Sequence, residues 1–250
     1  MRYFVAFSYF GKSYHGWQRQ PNALSVQETM EKAFSTLLRA DIKLAGARRT
    51  DAGVHAKQMY AHFDVTAAID TTELVYRLNS FLPDDIAIHK VYSVGDTAHA
   101  RFDALERTYE YWVTQRKNPF LQEGAYYMSH PLDVDAMNRA AAELLQHTDF
   151  ECFSKSNTDV KTYLCSLKQA TWSTDGEKLI FTITADRFLR NMVRAIVGTL
   201  LDVGLGKKSV DNVNSIIKSK DRGEAGSSVP AKGLYLTRVI YPKTTLNLDG

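Results

Sequence analysis

The sequence predicts an α+β fold, and three observations carry that expectation. Several short runs alternate apolar with polar residues, as half-buried strands do. Others place apolar residues every three or four positions, as amphipathic helices do. In the first part of the chain these runs follow one another as strand, helix, strand, strand, helix, strand. With 250 residues the chain can bury a sizeable core, as one large domain or two small ones.

Tyr3 to Phe10 is apolar and aromatic; it lacks the cleavage pattern of a signal peptide and reads as a buried strand. Gly11 to Asn22 is a polar, aromatic loop holding Tyr14, His15, Trp17, Gln18 and Arg19. Ser25 and Glu28 have the capping-box spacing, and Val26, Met30, Ala33, Phe34, Leu37 and Leu38 behind them predict an amphipathic helix. A short strand is expected near Ile42–Ala45, followed by a polar turn. Met59, Ala61, Phe63 and Val65 alternate with Gln58, Tyr60, His62 and Asp64, which predicts a half-buried strand. Leu74, Leu78, Phe81 and Leu82 mark a second helix that Pro83 ends, and Ile86 to Val94 is the next strand. This order is that of a split βαβ, ferredoxin-like unit.

The second half repeats the theme with longer insertions. Tyr109, Tyr111 and Val113 alternate along a strand, and Asp133 to Gln146 is an alanine-rich helix with Ala136, Met137, Ala140, Ala141 and Leu144 on its apolar face. Gln169–Ser173 and Leu179–Thr184 read as a hairpin about Thr174 to Glu177. Phe188, Met192, Ile196, Thr199, Leu200 and Val203 set the core face of a long helix, Ser209 caps another, and Leu234–Tyr241 is a closing strand. Residues 221–228 read as a mobile loop. The expected domains are 1–105 and 106–250.

Net charge is +3, so nucleic-acid binding would depend on where the charge lies rather than on its total. No run approaches a membrane span, and the chain is expected to be cytoplasmic. Cys152 and Cys165 form no C-x-x-C site and no disulfide framework. Seven scattered histidines, with no paired spacing and no Cys/His cluster, predict no metal. Gly204 to Ser209 lacks P-loop spacing, and no dinucleotide fingerprint follows a strand, so no small-molecule cofactor is expected.

The most informative segment is Arg48-Arg49-Thr50-Asp51-Ala52-Gly53-Val54-His55-Ala56. It sets a carboxylate beside two guanidiniums in a turn between apolar runs; a neighbouring cation favours the ionised aspartate. Gly53 permits a tight turn and close ligand approach. A fixed aspartate of this kind suits nucleophilic or electrostatic catalysis at a sugar carbon, and a surface turn with a local Asp–Arg pair is the simplest alternative. Arg187, Arg190 and Arg194 are three and four apart, which puts them on one helical face, either a solvated one or one that meets phosphates. Tyr14, His15, Trp17 and Arg19 mix rings with cations as a single-strand stacking surface would. Lys155, Lys161, Lys168, Lys207, Lys208, Lys218 and Lys220 could add to such a surface or serve only for solubility.

R-T-D-A-G-V-H-A resembles the signature of the tRNA pseudouridine synthase A family. So do His99 to Ala104 leading into Arg107-Thr108-Tyr109-Glu110-Tyr111, then Asn118-Pro119-Phe120, Met192 to Gly198 and Pro230 to Leu236, in order along nearly the whole chain. Arg48 stands where a glycine is common. The resemblance implies two α/β halves with joined, mainly antiparallel sheets and a central cleft, a homodimer, and isomerisation of uridine to pseudouridine at positions 38 to 40 of the tRNA anticodon arm. It further implies Asp51 as the catalytic residue with Arg194 near it, and Tyr109 stacked on the target base. Arg49 would hold the gap left by the flipped base, Leu234 would wall the pocket, and Arg187 and Arg190 would meet phosphates. Two other classes fit the same residues. A non-catalytic RNA-binding protein would show salt-sensitive tRNA affinity without chemistry. A nucleoside or glycoside hydrolase with Asp51 as nucleophile would need a second carboxylate, such as Asp103 or Glu106, about 5 Å away.

Overall fold

A computed structural model of the chain describes residues 1–155 and 160–246; residues 247–250 of the expected second domain lie outside it. The fold is α+β, with mostly antiparallel strands. It divides into two compact units, Met1–Arg107 with Tyr235–Gly250, and Thr108–Leu234, so the closing segment returns to the first unit instead of staying with the residues after 105.

The first unit contains β1 (Arg2–Tyr9), α1 (Val26–Leu38), β2 (Ala45–Gly46), β3 (His55–Asp64), α2 (Thr71–Phe81) and β4 (Ile86–Val94). β1 lies between β4 and β3, antiparallel to both, and β2 pairs with β3. The closing strand Leu234–Ile240 runs parallel to β3 through His55↔Tyr235 and Ala56↔Leu236. Ser25 starts α1 by accepting the Glu28 N–H, and Arg39 ends it in a left-handed conformation. Asp70 accepts the Thr72 and Glu73 N–H groups at the start of α2, which stops just before Pro83. The strand expected near Ile42–Ala45 is only the pair Ala45–Gly46; Ile42 and Leu44 are buried outside it.

The alternation expected of β3 holds on one face alone. Phe63 meets Phe34 of α1 edge-on at 5.0 Å, with Tyr3 of β1 beside it at 5.7 Å. Tyr60 and His62, expected outside, are also buried. Tyr241 packs on Phe4 and Tyr60, its hydroxyl donates to the Ala100 carbonyl, and the Ala100 N–H donates to His62 Nδ1 at 3.2 Å. Helices cover one face of this sheet, and residues 99–104 with the closing segment cover the other. Each large apolar side chain so buried contributes about 1.5–3 kcal/mol before entropy is counted.

The second unit contains most of β5 (Glu106–Thr114), then β6 (Tyr126–Tyr127), α3 (Val134–Leu144), β7 (Leu167–Asp175), β8 (Lys178–Ala185), α4 (Met192–Gly204) and α5 (Val210–Ser219). β8 lies between β7 and β5, and β6 pairs with β5. β7 and β8 form the expected hairpin, closed by Gly176 and Glu177 with Gly176 at φ +58. The apolar face of α3 is the one the sequence indicates, and Asn138 ties the helix to β7 by bonding both the N–H and the carbonyl of Trp172. Ser209 and Asn212 cap α5 reciprocally.

α4 departs from expectation twice. It is buried nearly all round instead of on one face. It also begins at Met192, because Asn191 sits in the left-handed region at φ +66 and a helix cannot run through it. Arg187 and Arg190 therefore lie in irregular backbone before the helix and do not share a helical face with Arg194. Residues 221–228 form a loop that is tied down: Gly226 N–H donates to Thr199 Oγ1 inside α4, and Arg222 bonds the Gly226 carbonyl and Ser228 Oγ. No helix among the described residues is long and apolar enough to cross a membrane.

Candidate active site

Asp51 lies half-buried in the loop between β2 and β3. Its carbonyl accepts the Val54 N–H at 3.2 Å, closing a β-turn whose third position, Gly53, has φ +76. The main chain of residues 11–17 holds this turn. Gly53 N–H donates to the Tyr14 carbonyl at 3.2 Å, and Trp17 N–H donates to Thr50 Oγ1 at 3.1 Å. Tyr9 shares a 2.8 Å hydrogen bond with the same Thr50 hydroxyl.

Two glycines make that approach possible. A Cβ on Gly16 would stand 2.2 Å from the Thr50 carbonyl oxygen, and Gly16 has φ +89; a Cβ on Gly11 would stand 2.0 Å from the Val54 oxygen. His55 closes the arrangement from behind. Its buried ring stacks on Phe10 at 4.0 Å and leans on Tyr235 at 4.6 Å, and its Nδ1 accepts the Gly11 N–H at 2.8 Å, which leaves the ring proton on Nε2. Gly11, Gly16 and His55 thus position the turn. The spacing of His55, four after Asp51, signals a local contact and no more, and Gly11 and Gly16 give no signal beyond their place in the preceding loop. Tyr14 anchors the loop through a 2.6 Å hydrogen bond to Asp85, and its burial together with that carboxylate raises the phenol pKa.

The loop is not the stacking surface expected of it. Tyr14 and Trp17 are buried; Trp17 packs on Phe7 at 5.3 Å and against Gly46, where a Cβ would meet its indole at 2.5 Å. Arg19 is exposed and paired with Glu28 and Glu31 at 3.7 and 3.9 Å. Arg49 is exposed, two residues before the turn.

In the second unit, Arg194 sits in the first turn of α4. Its Nε donates to the Val229 carbonyl at 2.6 Å, while its own carbonyl accepts the Val229 N–H at 3.3 Å. Tyr111 of β5 donates to the next carbonyl, that of Pro230, at 2.8 Å, and a Cβ on Gly233 would come within 2.8 Å of the Tyr111 ring. Burial raises the Tyr111 pKa, so the phenol keeps the proton this bond needs. Asn191 donates to Ser228 Oγ at 2.5 Å. Asn191, Arg194 and Tyr111, with Arg222 also at Ser228, thus fix residues 228–230, and the chain beyond them delivers the buried Leu234 to the start of the closing strand.

Tyr109, two residues before Tyr111, is buried with its ring edge-on to Phe188 at 5.1 Å. Arg190 is exposed and Arg187 partly so. Within its own unit the structure therefore joins Arg194 to Leu234 through residues 229–233, sets Tyr109 on the strand of Tyr111, and leaves Arg187 and Arg190 in a separate segment. Asp51 and Arg49 belong to the other unit. Of the candidate phosphate-binding lysines, Lys220 bonds Asp149 at 2.6 Å, Lys208 bonds the Glu224 carbonyl at 3.1 Å and Lys207 faces Asp202 at 3.8 Å. Asp103, a candidate second carboxylate, accepts the His99 N–H at 2.7 Å.

Comparison with known proteins supplies the family. A family model described as tRNA pseudouridine synthase matches residues 5–103 and 140–242. A protein of Parabacteroides distasonis named tRNA pseudouridine synthase A is 50% identical over 97% of this chain and 96% of its own length. Relatives of the same name from Bacteroides fragilis (51% identical, 97% of each chain) and Porphyromonas gingivalis (50% identical, 96% of this chain and 97% of the relative) are similar to the same extent. The motif around Asp51, the turn that holds it and these matches agree: the chain belongs to the tRNA pseudouridine synthases, isomerases that convert uridine in tRNA to pseudouridine.

Proposed function

We propose that this protein isomerises uridines at positions 38 to 40 of the tRNA anticodon arm, in the cytoplasm and as a homodimer. The observation that carries the reading is the aspartate of the family signature, Asp51, fixed on a turn that main-chain hydrogen bonds and two glycines hold from one side. The reaction breaks the C1′–N1 bond, turns the uracil and joins C1′ to C5; the proton leaves C5 and N1 gains one. No electron is exchanged and no group is imported, so the chemistry calls for no cofactor.

Asp51 acts at C1′ as nucleophile or base, and Arg194 pairs with it through the guanidinium nitrogens beyond Nε, which Val229 already holds. Tyr109, its ring direction set by Phe188, stacks on the uracil. Arg49 occupies the gap left by the flipped nucleotide, Leu234 walls the base pocket, and Arg187 and Arg190 contact phosphates. The two units would each be a variant of the split βαβ arrangement. The test uses unmodified tRNA transcripts that keep a single uridine at position 38, 39 or 40, with cytidine at the other two. Pseudouridine mapping is expected to show conversion at each position; conversion only elsewhere would overturn the assignment.

A further inference from the structure

The excursion between β5 and β6 carries a feature that the isomerisation does not use. Phe120 is 96% exposed, whereas most phenylalanines of the chain are buried. It is not on a loose loop. Pro119 fixes the backbone ahead of it, and Asn118 Oδ1 accepts the Phe120 N–H at 2.9 Å. Asn118 Nδ2 donates to Glu177 at 2.7 Å, tying the tip to the β7–β8 turn. The Leu121 N–H donates to the Asn118 carbonyl at 3.2 Å, and Lys232 Nζ donates to the Gln122 carbonyl at 2.9 Å. A backbone secured at these points, all within the second unit, presents an aromatic ring to water. Arg116 and Lys117, just before it, are exposed.

A single flat ring is too small for a hydrophobic protein interface, which needs a contiguous apolar patch. An exposed ring that follows two exposed cations in the chain is instead what an unpaired base and its flanking phosphates require: every base offers a face to stack on, and phosphates favour the cations. We propose that Phe120 is a stacking tip for an unpaired base of the substrate tRNA other than the uridine being isomerised, with Arg116 and Lys117 on the adjacent phosphates. This rests on the isomerase reading for the identity of the RNA, and it adds a contact outside the residues assigned to chemistry. Because the backbone that carries the ring is secured before binding, little main-chain freedom is lost when a base stacks on it.

The test compares wild type with Phe120→Ala, Phe120→Leu and Phe120→Trp on an unmodified tRNA transcript, reading KM and kcat by tritium release from C5 and Kd by filter binding. None of these exposed substitutions threatens the fold. Phe120→Ala is expected to raise KM and Kd about tenfold, the order of one lost stack, with kcat unchanged. Phe120→Leu should behave like alanine, and Phe120→Trp should restore wild-type values. An unchanged Kd in Phe120→Ala overturns the proposal. Wild-type behaviour of Phe120→Leu would also overturn it, because it would mean apolar contact without stacking, as would a change in sedimentation of Phe120→Ala, which would assign the ring to a second copy of the chain. Absence of turnover in the wild type, with Kd still dependent on Phe120, would remove the isomerase reading and leave the stacking tip standing.

Discussion

The Asp51 turn and residues 228–234, which run through a 3-10 turn at Ala231–Gly233 into the closing strand, both carry proposed site residues, and the balance of main-chain and side-chain bonds that holds them differs. Main chain grips the Asp51 turn: carbonyls and N–H groups of residues 11–17 and 50–54 bond one another across a gap that admits no Cβ at Gly11 or Gly16. Side chains from distant positions, Arg194, Tyr111, Asn191 and Arg222, grip residues 228–230, with one main-chain bond from the Val229 N–H to the Arg194 carbonyl beside them. A main-chain clamp has no rotamers to lose and suits a group that must hold one position against a sugar carbon. A side-chain clamp can be loosened one residue at a time. The two regions should therefore fail differently when mutated.

The sharpest way to break the first clamp is Gly16→Ala. The new Cβ collides with the Thr50 carbonyl, and φ +89 is strained for alanine. Chemical denaturation should show a loss of roughly 2–5 kcal/mol, and turnover per folded molecule should fall about 100-fold as Asp51 is displaced. Gly176→Ala is the matched control: its φ is also positive, but no atom lies within 4 Å of the new Cβ, and turnover should not change. Equal effects of the two substitutions would mean that strain, not the clamp, is being measured.

Arg194→Lys tests the second clamp by removing the Nε donor while keeping the charge. The loss of one hydrogen bond from a charged group predicts about 1.5–3 kcal/mol of local destabilisation, seen as faster amide exchange at Val229. Exchange at Gly53 and Val54 should stay as in wild type. Protection lost equally at both places would erase the distinction between the clamps.

The smallest expected effect concerns pH and lies away from both clamps. Burial, with Arg2 and His99 nearby, lowers the His62 pKa to about 4, and Asp64 and Asp103 oppose this only partly. The folded state therefore keeps His62 neutral at pH values where the unfolded chain, with a pKa of about 6.5, takes up a proton. Stability should fall as pH drops from about 6.5 towards 4, by roughly 1–3 kcal/mol. His62→Asn, which can still accept the Ala100 N–H, should flatten that part of the curve. An unchanged slope in the mutant would assign it to other groups.

Much of this architecture is legible in the sequence because the signals are local. Ser25 and Ser209 precede α1 and α5 by one residue, and Pro83 stands just past α2. The Asp51 turn is legible for the same reason, since a main-chain clamp leaves a contiguous motif. Residues 187–191 misled because Phe188 keeps the apolar spacing of α4 while Asn191 breaks the helix; spacing reports which side chains are buried, not the φ of the residue between them. Tyr60 and His62 misled because strand alternation assumes one wet face, and the cover here comes from residues 99–104 and Tyr241, far along the chain. The hold of Arg194 on Val229 left no spacing signal at all, because it depends on how a loop returns.

In the proposed reaction Asp51 does the chemistry, and its turn holds it in place. The direct measurement is tritium release from C5-labelled tRNA by wild type and by Asp51→Asn, with tRNA affinity measured on both. Wild type is expected to release tritium and Asp51→Asn none above background, with affinities within about threefold, because the loss falls on the transition state and not on binding. Release by Asp51→Asn at the wild-type rate would contradict this role for Asp51.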